Sequence, residues 1–178
     1  PTKRYYYTLL FGDKYRVKIA TRNVNIPGIQ NFRDLGGYPS YPGKKQMRWG
    51  MIYRSAEIDS LEYCSRRELK NLGIKTLIDL RTPSEIGRQS PLQKGFNVVH
   101  IPLATGDMED ILQGIREEKI KCDTVYRMVE RMNRTLIDKY TKEYRQIFDI
   151  LLDKTNYPVV IHCSSGKGRT GIVSALVL

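Results

Sequence analysis

His162-Cys163-Ser164-Ser165-Gly166-Lys167-Gly168-Arg169-Thr170-Gly171 puts a thiol, two cations, three hydroxyls and a run of glycines into one short stretch of chain. The apolar run Pro158–Ile161 precedes it and Ile172–Leu178 follows, so the pattern predicts a strand, a tight loop and the start of a helix. A loop entering a helix N-terminus aims unpaired backbone N–H groups at one point, with the positive end of the macrodipole behind them. That arrangement suits a phosphoryl dianion and lowers the pKa of a cysteine from its free value of about 8.5. Cys163 is therefore the expected nucleophile. Ser164, Ser165, Gly166, Lys167 and Gly168 form the expected phosphate-binding loop, with both Gly166 and Gly168 supplying backbone angles closed to other residues. Arg169 would return over the loop to hold two phosphate oxygens in its planar fork. The Thr170 hydroxyl is placed beside the sulfur, where it can assist departure of the thiolate from a phosphocysteine.

Two plainer readings compete. A nucleotide-binding Gly-x4-Gly-Lys-Ser/Thr loop requires Ser or Thr directly after the lysine, and Gly168 stands there. A buried structural cysteine is common, but it leaves the His, the glycines, Arg and Thr at these spacings without a purpose. A thiolate with an anion cradle accounts for all of them.

His162-Cys163-x5-Arg169-Thr170-Gly171 resembles the signature of the cysteine-dependent protein tyrosine and dual-specificity phosphatases. Asn31-Phe32-Arg33-Asp34-Leu35-Gly36-Gly37-Tyr38, then Trp49 to Ala56, then Leu77-Ile78-Asp79-Leu80-Arg81, are similar to ordered motifs of the bacterial tyrosine/serine phosphatases. The resemblance runs from about Ile26 onward. It implies an α/β cysteine-phosphatase fold and a two-step reaction in which Cys163 takes the phosphoryl group and water removes it, without metal. It also implies supporting positions for Arg33 and Asp34 near the site, for which a salt bridge holding the turn is the favoured role. In several of the resembled enzymes an aspartate within the loop precedes the arginine, and here Gly168 takes its place. The general acid must then come from elsewhere. The broader superfamily carries a mobile aspartate on a loop after a strand, which points to Asp107 in Ala104–Asp110, with Glu109 and Asp110 beside it. Asp107 reads equally as the N-cap of a helix beginning near Met108.

Composition narrows the partners. At 178 residues the chain suits one domain of 26–178 preceded by an appendage of 1–25. A net charge of +11 suits an anionic partner, yet the basic residues are dispersed and no nucleic-acid-binding signature appears. Nucleic acid is not expected. No apolar run reaches the length of a membrane span, no signal peptide is visible, and the chain opens on Pro1, which leaves compartment and oligomeric state undetermined. It stops within Ala175–Leu178 without a C-cap, which reads as truncation. Cys64, Cys122 and Cys163 make no even framework, so disulfides are not expected. No cluster has metal-ligand spacing, so neither a metal nor another cofactor is expected.

The remaining elements must position the loop. Tyr5–Phe11 and Tyr15–Ala20, split by Gly12-Asp13-Lys14, predict a β-hairpin whose tyrosines are strand surface. Asp59–Leu72 predicts an amphipathic helix stopped by Gly73, and Ile74–Leu80 a buried strand. Thr82-Pro83-Ser84-Glu85 is a capping box with proline at the first helical position. Asn97–Leu103 is a further strand, and the apolar period over 123–154 predicts one long or two abutting helices. The sum is α/β, a mostly parallel central sheet flanked by helices, with its ligand at the carboxyl ends of the strands.

Asp79 and Arg81 end such a strand and read equally as residues that orient the loop or touch substrate and as a structural ion pair. His162 is expected to hydrogen-bond the loop backbone rather than act as a base, and His100 to be a mid-strand core residue. The substrate is expected to be a phosphorylated protein. Gly166-Lys167-Gly168-Arg169 also resembles the phosphoinositide phosphatases of the tumour-suppressor type, in which the lysine meets extra phosphates on inositol, so a phosphoinositide is the alternative. A phosphate-binding pseudoenzyme is a third reading, opposed by the intact Cys163 and Arg169.

Overall fold

A computed structural model describes residues 4–40, 45–59, 63–86, 95–105, 113–117, 119 and 122–178. The N-terminal hairpin pairs β1 (Tyr6–Phe11) with β2 (Tyr15–Ala20), and its aromatic residues lie at the surface, as their strand alternation predicts. Short strands follow at β3 (Arg33–Asp34), β4 (Pro39–Ser40) and β5 (Lys45–Gln46), then β6 (Ile52–Ser55). Helix α1 (Tyr63–Asn71) leads to β7 (Thr76–Asp79), the single turn α2 (Pro83–Ile86) and β8 (Asn97–His100). Helices α3 (Cys122–Lys139) and α4 (Thr141–Leu152) precede β9 (Val159–His162), and α5 (Gly168–Val177) follows. The first helix begins its described course at Tyr63 rather than Asp59, whose carboxylate is instead engaged by Arg81.

The central sheet has the order β3-β6-β9-β7-β8, with β3 antiparallel at one edge and every other pairing parallel. Its strands are apolar on both faces because helices or chain cover both. Ile52, Ile78, Val159 and Ile161 join one core with Leu136, Tyr144, Ile147 and Val173 from the helices. Tyr53, Leu77 and Val160 point the other way, onto Val24, Ile26, Phe32 and Leu69. The two-residue period of the strands thus divides one continuous apolar run between two cores. The parallel register brings Ser55, His162, Asp79 and His100 into a single row at the carboxyl ends. Cys163 comes next.

Tyr140 separates the two long helices and serves a second purpose. Its hydroxyl donates to Ala104 O and accepts from Ala104 N, both at 3.1 Å, which pins the chain where it leaves β8 for the acidic segment.

The hairpin is tied to the sheet by charge. Asp34 is fully buried and accepts from Gly36 N at 2.7 Å and Gly50 N at 2.8 Å, while Arg4 reaches it at 2.7 Å. The expected salt bridge therefore exists at Asp34, but its cation is Arg4 and not Arg33. Arg33 turns to Asn31, because adjacent residues on a strand project to opposite faces. Removing one partner of a buried pair leaves an uncompensated charge, so Asp34→Ala is expected to lower unfolding free energy by about 3–5 kcal/mol. Urea unfolding measures it, and a change below about 1 kcal/mol contradicts the buried-pair account.

Candidate active site

The segment from Cys163 to Arg169 leaves the centre of the sheet and enters α5 at Gly168. Gly166 has φ of 67°, and a Cβ there would lie 2.3 Å from Ser55 O, so the loop closes against β6 only because this residue has no side chain. Gly168 differs from expectation. It has no positive φ and open space where a Cβ would be, so as the first residue of a helix it needs no special backbone angle.

Cys163 is buried beneath this loop. Burial pushes its thiol pKa up, but the Thr170 hydroxyl, the amides of Thr170 and Gly166 and the Arg169 guanidinium outweigh burial, and the net direction is down. Thr170 Oγ1 is itself buried and has no complete hydrogen bond, so its nearness to the sulfur acts through orientation and field. The setting shifts the thiol toward its thiolate.

Arg169 arrives at the loop already held. Its Nη1 donates to Glu85 Oε2 at 2.7 Å and its Nη2 to Glu85 Oε1 at 2.6 Å, a two-pronged pair. Further bonds run to Leu80 O at 3.2 Å, Leu103 O at 3.3 Å and Ser164 Oγ at 3.2 Å. Glu85 Oε1 also accepts from Ser164 Oγ at 2.7 Å. The fork expected to face phosphate is thus directed at a carboxylate in this state. The capping box around Thr82 is real, since Thr82 N donates to Glu85 Oε2 at 2.8 Å. The same carboxylate reaches far along the chain to the active loop, and no local spacing reveals that second role.

Asp79 and Arg81 resolve as an ion-pair network. Arg81 is fully buried, donates from Nε and Nη2 to Asp79 and takes Asp59 through both terminal nitrogens at 2.5 and 2.7 Å. With all three of its nitrogens bonded to protein carboxylates, Arg81 supports the sheet end rather than offering a free fork. His162 is buried beside this network and departs from its expected bond: neither ring nitrogen has a hydrogen-bond partner, and Nδ1 lies 3.8 Å from Asp79 Oδ1. Burial pushes the imidazole down to about 4, which Asp79 opposes and Arg81 reinforces, so the ring is neutral at pH 7. His100 is not a core residue. It ends the edge strand with its side chain 47% exposed, lining a pocket of about 310 Å³ with Arg81, Pro83, Ile86 and Pro102.

The back of the loop is braced by residues that the sequence motifs contain but whose task they do not disclose. Arg54 Nη2 donates to Gly166 O at 2.7 Å and Lys167 O at 3.1 Å. Asn31, a non-glycine residue with φ of 61°, donates from Nδ2 to Ser165 O at 3.1 Å and Gly166 O at 3.3 Å. Lys167 and Ser165 are exposed at the loop surface. Asp107, Glu109 and Asp110 lie outside the described residues. Among the described residues no group of three or more His, Cys, Asp or Glu side chains converges as for a metal.

The sequence profile of the tyrosine phosphatase family matches residues 24–178. The chain belongs to that family. It is 27% identical over 180 aligned positions to the triple specificity protein phosphatase PtpB of Mycobacterium tuberculosis, covering 86% of this chain and 62% of that protein. It is 28% identical over 132 positions to a tyrosine-protein phosphatase of Nostoc commune, covering 70% of this chain and 41% of the other. A shorter match, 39% over 49 positions, covers 28% of this chain and 25% of an inositol diphosphatase of Arabidopsis thaliana. The chain thus spans less than two thirds of the length of these curated relatives.

Two acid-sensitive contributions to stability follow from the site. His162 titrates at about 4 when folded against 6.5 for an ordinary imidazole, so the unfolded chain binds the proton first and stability present above pH 6.5 is lost as pH falls toward 4. The Glu85 carboxyl, which burial pushes up but which Arg169, Thr82 N and Ser164 hold at about 2 against an ordinary 4.5, contributes stability above pH 4.5 that is lost below it. Urea unfolding at stepped pH is expected to show the upper slope removed by His162→Asn and the lower by Glu85→Gln. A Glu85→Gln chain with the parent slope below pH 4.5 contradicts the pairing.

Proposed function

We propose that the chain hydrolyses phosphate monoesters on proteins, phosphotyrosine first and phosphoserine or phosphothreonine in addition, through a phosphocysteine on Cys163. The observation that carries this reading is the thiol's company: a buried cysteine whose pKa is lowered by loop amides and by Arg169, at the carboxyl end of the central strand. The name of PtpB, a triple specificity protein phosphatase, supports protein substrates and more than one kind of phosphoester.

In the first step the Cys163 thiolate attacks phosphorus, an S–P bond forms and the P–O ester bond breaks. The departing oxygen takes a proton from a general acid, for which Asp107 is the assignment and Glu109 and Asp110 the alternatives. Arg169, leaving or sharing Glu85, carries the equatorial oxygens as charge redistributes, with the amides of the loop completing the cradle. Water then gives a proton to the carboxylate left by the first step and attacks phosphorus, the S–P bond breaks and phosphate leaves as the thiolate and the acid are restored, with Thr170 Oγ1 beside the returning sulfur charge. No metal enters either step.

A second reading, hydrolysis of phosphoinositides or inositol phosphates, has two supports: the exposed Lys167 on the loop and the short match to an inositol diphosphatase. Lys167→Ala separates the two, a loss confined to polyphosphorylated inositols favouring lipid and equal small losses on peptide and inositide favouring protein.

Cys163→Ser is expected to retain fold and phosphate binding while turnover of p-nitrophenyl phosphate falls to background, since a hydroxyl does not ionise there. Near-parent turnover in that variant refutes the covalent route. Asp107→Asn is expected to slow phosphotyrosine hydrolysis by about 10²–10⁴-fold and an activated nitrophenyl ester far less. Equal slowing on both assigns Asp107 to a structural cap.

A further inference from the structure

Arg33 and Arg54 face each other directly across the antiparallel pair of β3 and β6. Like charges opposite one another in such a pair repel, and natural sheets ordinarily avoid the arrangement or compensate it with carboxylates. Among the described residues neither guanidinium has a carboxylate partner. Arg33 Nη1 turns to the amide oxygen and carbonyl of Asn31, and Arg54 Nη2 to the carbonyls of Gly166 and Lys167. Arg54 Nε is buried with no hydrogen-bond partner at all. Both arginines line one cavity of about 280 Å³, with Tyr38 and the helix residues Gly171 and Ser174. Asp34 also borders it, but its carboxylate is committed to Arg4 and to the amides of Gly36 and Gly50.

This cavity is not the sulfur cradle. None of residues 163–170 lines it, and Arg54 meets the loop at its carbonyls, whereas the amides of Gly166 and Thr170 act on Cys163. Burial first and then the neighbouring Arg33 push the Arg54 pKa down, against smaller opposing effects of Cys163 and Tyr38.

We propose that the Arg33–Arg54 cavity is a second anion site, binding a phosphate-type dianion separately from the Cys163 loop. The ligand chemistry is a tetrahedral oxyanion large enough to accept from both guanidinium groups, with Tyr38 on the same lining. Its source is free phosphate or a phosphoryl group borne on a larger ligand. The site does not depend on turnover, so it survives failure of the catalytic reading.

Calorimetric titration of the chain with inorganic phosphate, against chloride at equal ionic strength, is expected to give two equivalents bound in the parent. Arg169→Ala is expected to weaken one of them and Arg33→Ala the other, by on the order of ten-fold for each lost charge-assisted contact, with Arg33→Lys recovering part of the loss. The same series with an inositol bisphosphate distinguishes the sources: weakening by Arg33→Ala with both ligands supports free phosphate, and weakening with the bisphosphate alone supports a borne phosphoryl group. A single equivalent in the parent that Arg169→Ala weakens and Arg33→Ala leaves unchanged with both ligands overturns the proposal. So does a second equivalent that Arg33→Ala leaves unchanged with both ligands.

Discussion

The active end of this molecule is governed by the need to keep a guanidinium desolvated and aimed before any dianion arrives. Arg169 is almost wholly buried, and an unpaired cation there is prohibitively unfavourable. Glu85 meets the need with a carboxylate of the same bite as a phosphate edge, while the carbonyls of Leu80 and Leu103 fix the tilt of the plane. The fork is thereby held in one orientation, with its rotamer entropy already spent.

Around that pair the charges are sorted by depth. Asp79, Arg81 and Asp59 neutralise one another beneath the row of strand ends, and the neutral His162 ring separates them from Cys163. The sulfur is thus shielded from nearby carboxylates on the sheet side and exposed to amides and a guanidinium on the loop side. A thiolate is stabilised by this asymmetry more than by any one contact.

Much of this was legible in the chain. The strand alternation of Val159 to Ile161, the hairpin around Gly12-Asp13-Lys14 and the thiol-to-arginine spacing all have local causes, and local causes are what a sequence displays. Glu85 was legible as a helix cap and illegible as the partner of Arg169, since the second role depends on how β7 and β9 lie side by side. Arg54 and Asn31 failed to announce themselves for the same reason: they act on loop carbonyls, and a backbone acceptor carries no residue identity. His100 was misplaced in the core because an apolar run does not say which strand is the edge. Gly168 was assigned a conformational duty by composition alone, while the steric demand rests on Gly166 and comes from Ser55, a residue of another strand.

The sheet order carries an implication for how the molecule comes into being. The middle strand, residues 159–162, is made after each of the four it finally lies among, and β6 and β7 are not hydrogen-bonded neighbours without it. On a ribosome the earlier strands must wait with open edges, a slow and aggregation-exposed arrangement. When the last strand does insert, it delivers the thiol in the same event that closes the sheet. The loop that follows residue 162 therefore takes its place only once the five strands are joined.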